Sequence, residues 1–534
     1  MSSPASFEDR PPLILRHNLI FLTVFCLFVW LPGFFTLMPT DRDESRFAQA
    51  TKQMLETGDY LRIMNGTEPR NRKPIGIYWA QVPFAGAARA VGLARADAIW
   101  PYRLPSLLGA LLAVLAVARG GEFLIGKRRA TLAAAWFASC LLLVSEAHLA
   151  KTDAALVGVT TVAMLLLGRA YLTPAKMNAW HAAGFWIACA AGILLKGPIT
   201  PLIAGLAIIT LGCWSRRWNW LRALRPGWGI MLLLLLVLPW FIAIGIATKG
   251  AFFADSVHGD LGSKISGGDD AHGHPFGIYL LLIPLVAFPA AAPILRAFPA
   301  VWRGRGAEEV KFLIAWLVPA WLMFELVPTK LPHYTLPLYP AMFLLAAHFE
   351  TAAIARWWRN TALGITLLAG AALSCGVLAA PFLLHGAHWA GVPAALLILL
   401  ICGLITAGRQ SVALLMLPLA LIAVFEIELP RLPALLLSPR INQALEADHL
   451  HGLGLGEAGY DEPSLMFLAG TNTQWFRTGT LLGNWMKQHP GNVAIVEARE
   501  LKAFTRTDPA VVQVGEVDGF DYSNGKWVKI EVLR

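Results

Sequence analysis

The sequence predicts a polytopic α-helical membrane protein of about thirteen transmembrane helices, followed by a small extracytoplasmic α/β domain. Three observations carry that prediction. Of 534 residues, 56% are hydrophobic and only 15% charged, against about 25% charged in ordinary soluble proteins, and the mean hydropathy is +0.56. Apolar stretches near or above the roughly 18 residues that cross a bilayer recur from residue 18 to residue 428. Beyond residue 430 the composition turns polar and strand-like runs appear. These features exclude a soluble globular enzyme, a disordered chain and a disulfide scaffold. The net charge of +10 fits a nucleic-acid binder or a membrane protein with basic cytoplasmic loops equally well, so the placement of the charges has to decide.

The first apolar run, near residue 28, follows a basic flank with Arg10 and Arg16. It is too long for a cleavable signal and has no small-x-small site before Asp41, so it reads as a retained span. Further spans centre near residues 110, 138, 162, 188, 206, 236, 286, 317, 342, 370, 396 and 418. Basic clusters at Lys127 to Arg129, Arg216 to Arg225, Arg303 to Lys311, and Arg356 with Arg359 fall in every second connection. That places the N-terminus inside and, with an odd number of spans, the C-terminus outside. The six cysteines sit within or at the edge of apolar runs with no metal spacing; they read as small packing residues, and no disulfide is expected.

Residues 1–429 thus form a transmembrane domain whose outer loop, 40–101, carries amphipathic juxtamembrane helices; residues 430–534 form the outer α/β domain. The tail carries a net charge of about −2, with strand-like runs from Val493, Val511 and Trp527 and a helical patch around Thr480 to Lys487. The outer loop breaks the charge rule. It holds Arg42, Arg46, Lys52, Arg62, Arg70, Arg72, Lys73, Arg89 and Arg95. A long loop is partly exempt from that rule, so this is either a solvated basic face or an anion-binding one. Glu44 to Thr57 has Phe47, Ala50, Met54 and Leu55 at helical spacing, which predicts an amphipathic helix on the membrane interface, stopped at Gly58. Asp43 and Glu44 also suit that helix's N-terminus on purely structural grounds. The segment Arg70-Asn71-Arg72-Lys73-Pro74 leads into a second amphipathic stretch at Ile75 to Trp79.

These residues resemble a known family. DESRFAQATKQMLETGDY from Asp43, RKPIGIYW from Arg72, YRLPS from Tyr102, AKTDAAL from Ala150, LLKGP from Leu194 and TKLPHYTLPLYP from Thr329 are similar to the lipid A aminoarabinose transferase and protein O-mannosyltransferase group. The resemblance covers most of the membrane part in order and is specific as a combination. It implies a C-type membrane glycosyltransferase (GT-C) fold and transfer of a sugar from a polyprenyl phosphate.

Such an inverting transfer needs a carboxylate to orient or deprotonate the acceptor and cations to stabilise the departing phosphate. Asp43 is the candidate carboxylate and matches the family's catalytic Asp; for an acceptor that is already an ionised phosphate it would orient rather than deprotonate. Asp153 is the second candidate, with a structural alternative in which Thr152 or Asp153 caps the following helix. Lys73, in the family's Lys-Pro motif, is the leading candidate for the departing phosphate, with Arg46, Lys330, Tyr334 and Lys264 beside it. Arg72 stands where relatives often carry an acid. Tyr334 also reads as an interfacial belt residue, Lys151 as a snorkelling cation, and Lys196 as either a donor-site cation or a lipid-facing anchor. His258, Asp260 and His272, in a Gly-rich outer loop, permit a divalent metal without matching a fixed motif; no cofactor is required.

The implied protein is a bacterial inner-membrane enzyme acting on lipid A, lipopolysaccharide or another envelope acceptor, embedded in membrane lipid and not binding nucleic acid. A flippase of a lipid-linked sugar and a non-catalytic lipid-binding receptor are the alternatives. Ionisable residues gathered on one face rather than at mid-membrane favour catalysis.

Overall fold

A computed structural model of the chain describes residues 17–39, 42–256, 275–450, 452–508 and 511–534. Helix α1 (Asn18–Trp30) is apolar on all sides. Helix α2 (Arg42–Thr57) carries Asp43 and Glu44 in its first turn, where they complement the helix dipole, and stops at Gly58, whose φ of +74° suits only a residue without Cβ. A two-stranded ribbon, β1 (Met64–Asn65) and β2 (Glu68–Pro69), then leads to α3 (Gly76–Ala90).

The helical body continues with α4 (Trp100–Gly120), α5 (Lys127–Ala138), α6 (Leu141–Ala147), α7 (Asp153–Leu172), α8 (Ala179–Lys196), α9 (Ile199–Ser215) and α10 (Pro226–Ala247). It is completed by α11 (Ile278–Val286), α12 (Ala291–Gly304), α13 (Glu308–Leu326), α14 (Tyr339–His348), α15 (Arg356–Leu383), α16 (Val392–Thr406) and α17 (Gln410–Ile422). Among the described residues, six helical segments are long and apolar enough to cross a membrane: Trp100–Ile125, Asp153–Leu172, Ala179–Lys196, Pro226–Ala247, Arg356–Leu383 and Gln410–Arg431. The pair α5 and α6, bent by 64°, makes a seventh if counted as one span; α1, α9 and α16 are apolar but shorter.

Close helix contacts fix the packing of this body. A Cβ on Gly109 of α4 would lie 2.4 Å from the Ala155 Cα, and one on Gly158 of α7 would lie 2.5 Å from the Gly109 carbonyl oxygen. The two backbones therefore touch, as small residues allow between membrane helices. Gly76 does the same for α3, where a Cβ would meet the Leu194 carbonyl at 2.7 Å.

The chain beyond α17 folds as α18 (Leu437–Ala447), β3 (Leu455–Ala458), α19 (Pro463–Ala469), β4 (Gln474–Phe476), α20 (Gly479–Gln488), β5 (Val493–Glu497), α21 (Ala498–Thr507), β6 (Gln513–Asp521) and β7 (Lys526–Leu533). Its strands form one sheet in the order β4-β3-β5-β7-β6; β4, β3 and β5 are parallel and β7 is antiparallel to both neighbours. Leu437, Ile441, Val493, Ile495, Ile530 and Val532 pack into its core.

This unit sits directly on α2. Lys52 Nζ donates to the Phe467 carbonyl at 2.7 Å, Gln49 to Thr471 at 2.9 Å, and Arg42 lies 3.4 Å from Glu462. On its other side Phe47, Ala50 and Met54 pack with Ile75, Tyr78, Trp240 and Phe252. Protein therefore covers most of α2, where the sequence alone predicted a helix lying on lipid. The difference arises because the residues that cover it are distant in the chain, those of the C-terminal unit by more than 400 positions.

One buried ion pair ties these parts together. Glu44 and Arg103 both have 0% exposure, with Nε–Oε1 at 2.7 Å and Nη2–Oε2 at 3.1 Å. Arg103 also donates to the carbonyls of Phe34, Leu37 and Met38, and Glu44 accepts from the Ala150 amide at 3.0 Å. Removing one partner leaves a buried charge, a loss of about 3–5 kcal/mol. Glu44→Leu or Arg103→Met should therefore lower the melting temperature of the detergent-solubilised protein by many degrees. An unchanged melt would show that the pair is dispensable.

Candidate active site

Asp43 lies in the first turn of α2, one residue before the buried Glu44. Its Oδ1 is 3.4 Å from Arg46 Nη1 and 3.4 Å from Arg70 Nη2, while 52% of the side chain stays exposed. Arg70 is held firmly: only 9% of its side chain is exposed and its guanidinium stacks 4.4 Å from the Phe47 ring. The Arg70 Nη1 and the Tyr78 hydroxyl are both buried without a hydrogen bond. Enclosure by protein raises the Asp43 carboxyl, but the charges of Arg70, Arg46, Lys73 and Lys151 together outweigh it and hold the group at about 2. Burial pushes the Tyr78 phenol up to about 12.

Lys73 is half-buried, and Pro74 restricts its backbone to extended conformations. Its segment is pinned at Asn71, whose Nδ2 donates to Asp255 at 2.9 Å and whose carbonyl accepts from Ser256 at 2.7 Å. The close approach of Gly76 to Leu194 brings this segment against the end of α8, which carries Lys196.

A second group forms at the head of α7. Asp153 pairs with Lys196, and its Oδ2 is 3.9 Å from His333 Nε2. Glu146 Oε1 lies 3.2 Å from Lys151 Nζ and 3.6 Å from His333 Nδ1. Lys196 Nζ stands 5.1 Å over the Tyr334 ring, so Tyr334 faces this group. Lys330 is buried just before them. The charge of Lys151 reaches Asp43 and His333 alike, which makes the two groups neighbours.

Of the two residues that could cap α7, Thr152 is the N-cap, with no side-chain capping bond, while Asp153 is held by Lys196. Lys151 is buried against Glu146 rather than reaching toward lipid, and Lys196 is turned inward to Asp153. Lys264, His258, Asp260 and His272 lie outside the described residues. Among the described residues, no group of three His, Cys, Asp or Glu could hold a metal ion.

The sequence named Arg70 and His333 only as members of longer runs and did not single out Glu146 or Tyr78. His333 had a usable signal, since it lies between Lys330 and Tyr334. Glu146 had none, because it is a single acid in an apolar run.

Burial pushes His333 down to about 3, with Lys151 and Lys196 acting in the same direction against Asp153 and Asp43. The unfolded imidazole titrates near 6.5. As pH falls through 6.5 the unfolded chain takes up a proton that the folded chain refuses, so the folded state loses stability. Between pH 8 and pH 5.5 the melting temperature of the wild type should therefore drop further than that of His333→Asn. Parallel drops would mean that His333 is not held neutral.

Comparison with known proteins places this arrangement. The family model of dolichyl-phosphate-mannose-protein mannosyltransferases matches residues 83–242, which include Asp153 and Lys196 but begin after Asp43 and Lys73. An undecaprenyl phosphate-alpha-4-amino-4-deoxy-L-arabinose arabinosyl transferase of Pseudomonas paraeruginosa is 28% identical over 334 residues, 59% of this chain and 57% of the relative. The enzyme of the same name from Pectobacterium carotovorum is 26% identical over 384 residues, 68% of this chain and 66% of the relative. The chain thus spans under two thirds of the length of these relatives. The crystal structure of ArnT from Cupriavidus metallidurans bound to undecaprenyl phosphate superposes with a TM-score of 0.74 at 18% identity, covering 97% of this chain and 98% of that one. The archaeal oligosaccharyltransferase AglB from Archaeoglobus fulgidus has a TM-score of 0.53 at 11% identity, covering 91% and 69%. The chain is a multi-pass helical membrane protein, similar in sequence to these transferases and in fold to the C-type membrane glycosyltransferases that its motifs resemble.

Proposed function

We propose that the protein is an inverting glycosyltransferase that moves a sugar from a polyprenyl-phosphate donor to lipid A or another envelope acceptor. The observation that carries this reading is the Asp43 carboxylate, half exposed and ringed by Arg46, Arg70, Lys73 and Lys151. A carboxylate with so many cations beside it suits a site where an acceptor oxygen meets a sugar phosphate.

In the proposed reaction the acceptor oxygen attacks the anomeric carbon, the bond from that carbon to the phosphate oxygen breaks, and polyprenyl phosphate leaves with the electron pair. Lys73, Arg46, Lys330 and Tyr334 are the groups proposed to receive the phosphate, with Lys264 joining from the outer loop. Asp43 orients the acceptor and balances charge; Asp153 holds Lys196 and Tyr334 in place on the donor side and is the second carboxylate near the reacting atoms. A base with a pKa near 2 is a weak acceptor of protons at neutral pH. That favours an acceptor already ionised, such as a phosphate oxygen, over a hydroxyl. Relatives named as transferases and the gathering of charge at one end of the helices support catalysis over transport.

The same reading places the protein in a bacterial inner membrane with the site on the outer face. It takes residues 1–429 as thirteen spans from an inside N-terminus, the shorter and broken helices crossing as well, and residues 430–534 as a periplasmic domain.

Asp43→Asn tests the reading in vesicles reconstituted with a polyprenyl-phosphate sugar and lipid A. The expected result is a loss of at least ~100-fold in kcat/KM, with binding of undecaprenyl phosphate retained. Lys73→Ala should instead weaken donor binding and transfer together. Unchanged transfer by Asp43→Asn overturns the assignment, and movement of intact donor without product would make the protein a flippase.

A further inference from the structure

A cavity of about 610 Å³ opens at the end of the helical body opposite Asp43. Helix α14 connects the two ends: it starts just after His333 and Tyr334 and finishes at His348, next to Phe349 and Glu350 of the cavity wall.

The lining of the cavity is of two kinds. One wall is apolar, with Trp136, Phe349 and Leu414. The other is cationic. Arg296 and Arg409 both line the space, and neither guanidinium makes a hydrogen bond or ion pair with any described residue. The one acid there, Glu350, already holds Arg128 at 3.4 Å through Oε1. Arg296 lies eight residues before the end of α12 at Gly304, about 12 Å along the helix from that terminus.

Helix α17 begins at Gln410 without a capping side chain, and Gln410 and Ser411 belong to the lining. Two guanidinium groups beside a helix N-terminus are donors matched to a phosphate.

We propose that this cavity is a binding site for a phosphate ester, and that the ester is the headgroup of an anionic phospholipid: Arg296, Arg409 and the start of α17 hold the phosphate, and the Trp136 wall takes the first part of an acyl chain. Basic pockets between membrane helices bind lipid headgroups in this manner. The apolar wall favours the lipid over free phosphate, which shares only the polar half of the site.

Native mass spectrometry of the full chain in detergent tests this, with phosphatidylglycerol and, separately, inorganic phosphate as probes. The wild type should retain one phosphatidylglycerol per chain, with affinity at least tenfold lower in Arg296→Gln/Arg409→Gln. Arg359→Gln, an exposed arginine that is not in the lining, should bind as the wild type does. Millimolar inorganic phosphate should not displace the lipid; if phosphate alone binds and is lost in the double variant, the site belongs to free phosphate. Should the double variant fail to fold, Arg409→Gln alone, at the exposed mouth, carries the test. Equal retention by wild type and lining variants, an equal loss in Arg359→Gln, or binding of neither probe overturns the proposal.

Discussion

The Glu44–Arg103 pair is the constraint from which the half of the molecule around Asp43 hangs. Each ion loses all contact with solvent, which costs several kcal/mol unless every polar atom is satisfied. Three carbonyls after α1 and the amide of Ala150 complete that satisfaction. The exit of α1, the start of α2, the head of α4 and the turn before α7 are thereby fixed to one another. Both candidate carboxylates follow from this. Asp43 is next to Glu44 on the helix, about 100° round the axis, so anchoring Glu44 inward turns Asp43 toward the opening. Asp153 is three residues beyond Ala150.

Charge then divides the site unequally. Around Asp153 the two lysines, Lys151 and Lys196, face two carboxylates, Glu146 and Asp153, and a neutral His333 fits that balance. Around Asp43, among the described residues, one carboxylate feels the charges of Arg70, Arg46, Lys73 and Lys151. Arg70 also keeps a buried Nη1 without a hydrogen bond, which is costly unless a ligand supplies the acceptor. On the proposed reading, an incoming phosphate is drawn to the Asp43 side, where Lys73 was expected from its motif.

The sequence made the membrane body legible because long apolar runs have few other uses, and α2 legible because its apolar spacing and its glycine stop are local. Asp43 and Lys73 could be singled out from a basic loop on the unexpected side of the membrane and from motif resemblance. What could not be read is whatever depends on distant pairing. The docking of Phe467 beside Tyr102, the cover over α2, and the meeting of Glu146 with His333 join residues far apart in the chain, and no local pattern encodes them. Lys151 and Lys196 were ambiguous for the same reason: a lysine at a helix end looks alike whether it faces lipid or a carboxylate.

The depressed carboxyl of Asp43 has a consequence for the order of events on the proposed reading. The cations that hold it at about 2 are the same groups that would neutralise a donor phosphate. A bound phosphate takes up part of their field and adds negative charge nearby, and both effects raise the carboxyl toward its ordinary value. Asp43 is then a better hydrogen-bond acceptor with donor present than without it. An acceptor that arrives first meets a carboxylate locked to Arg46 and Arg70; one that arrives second meets a carboxylate partly released from them. The electrostatics therefore favour donor before acceptor, without requiring any moving part.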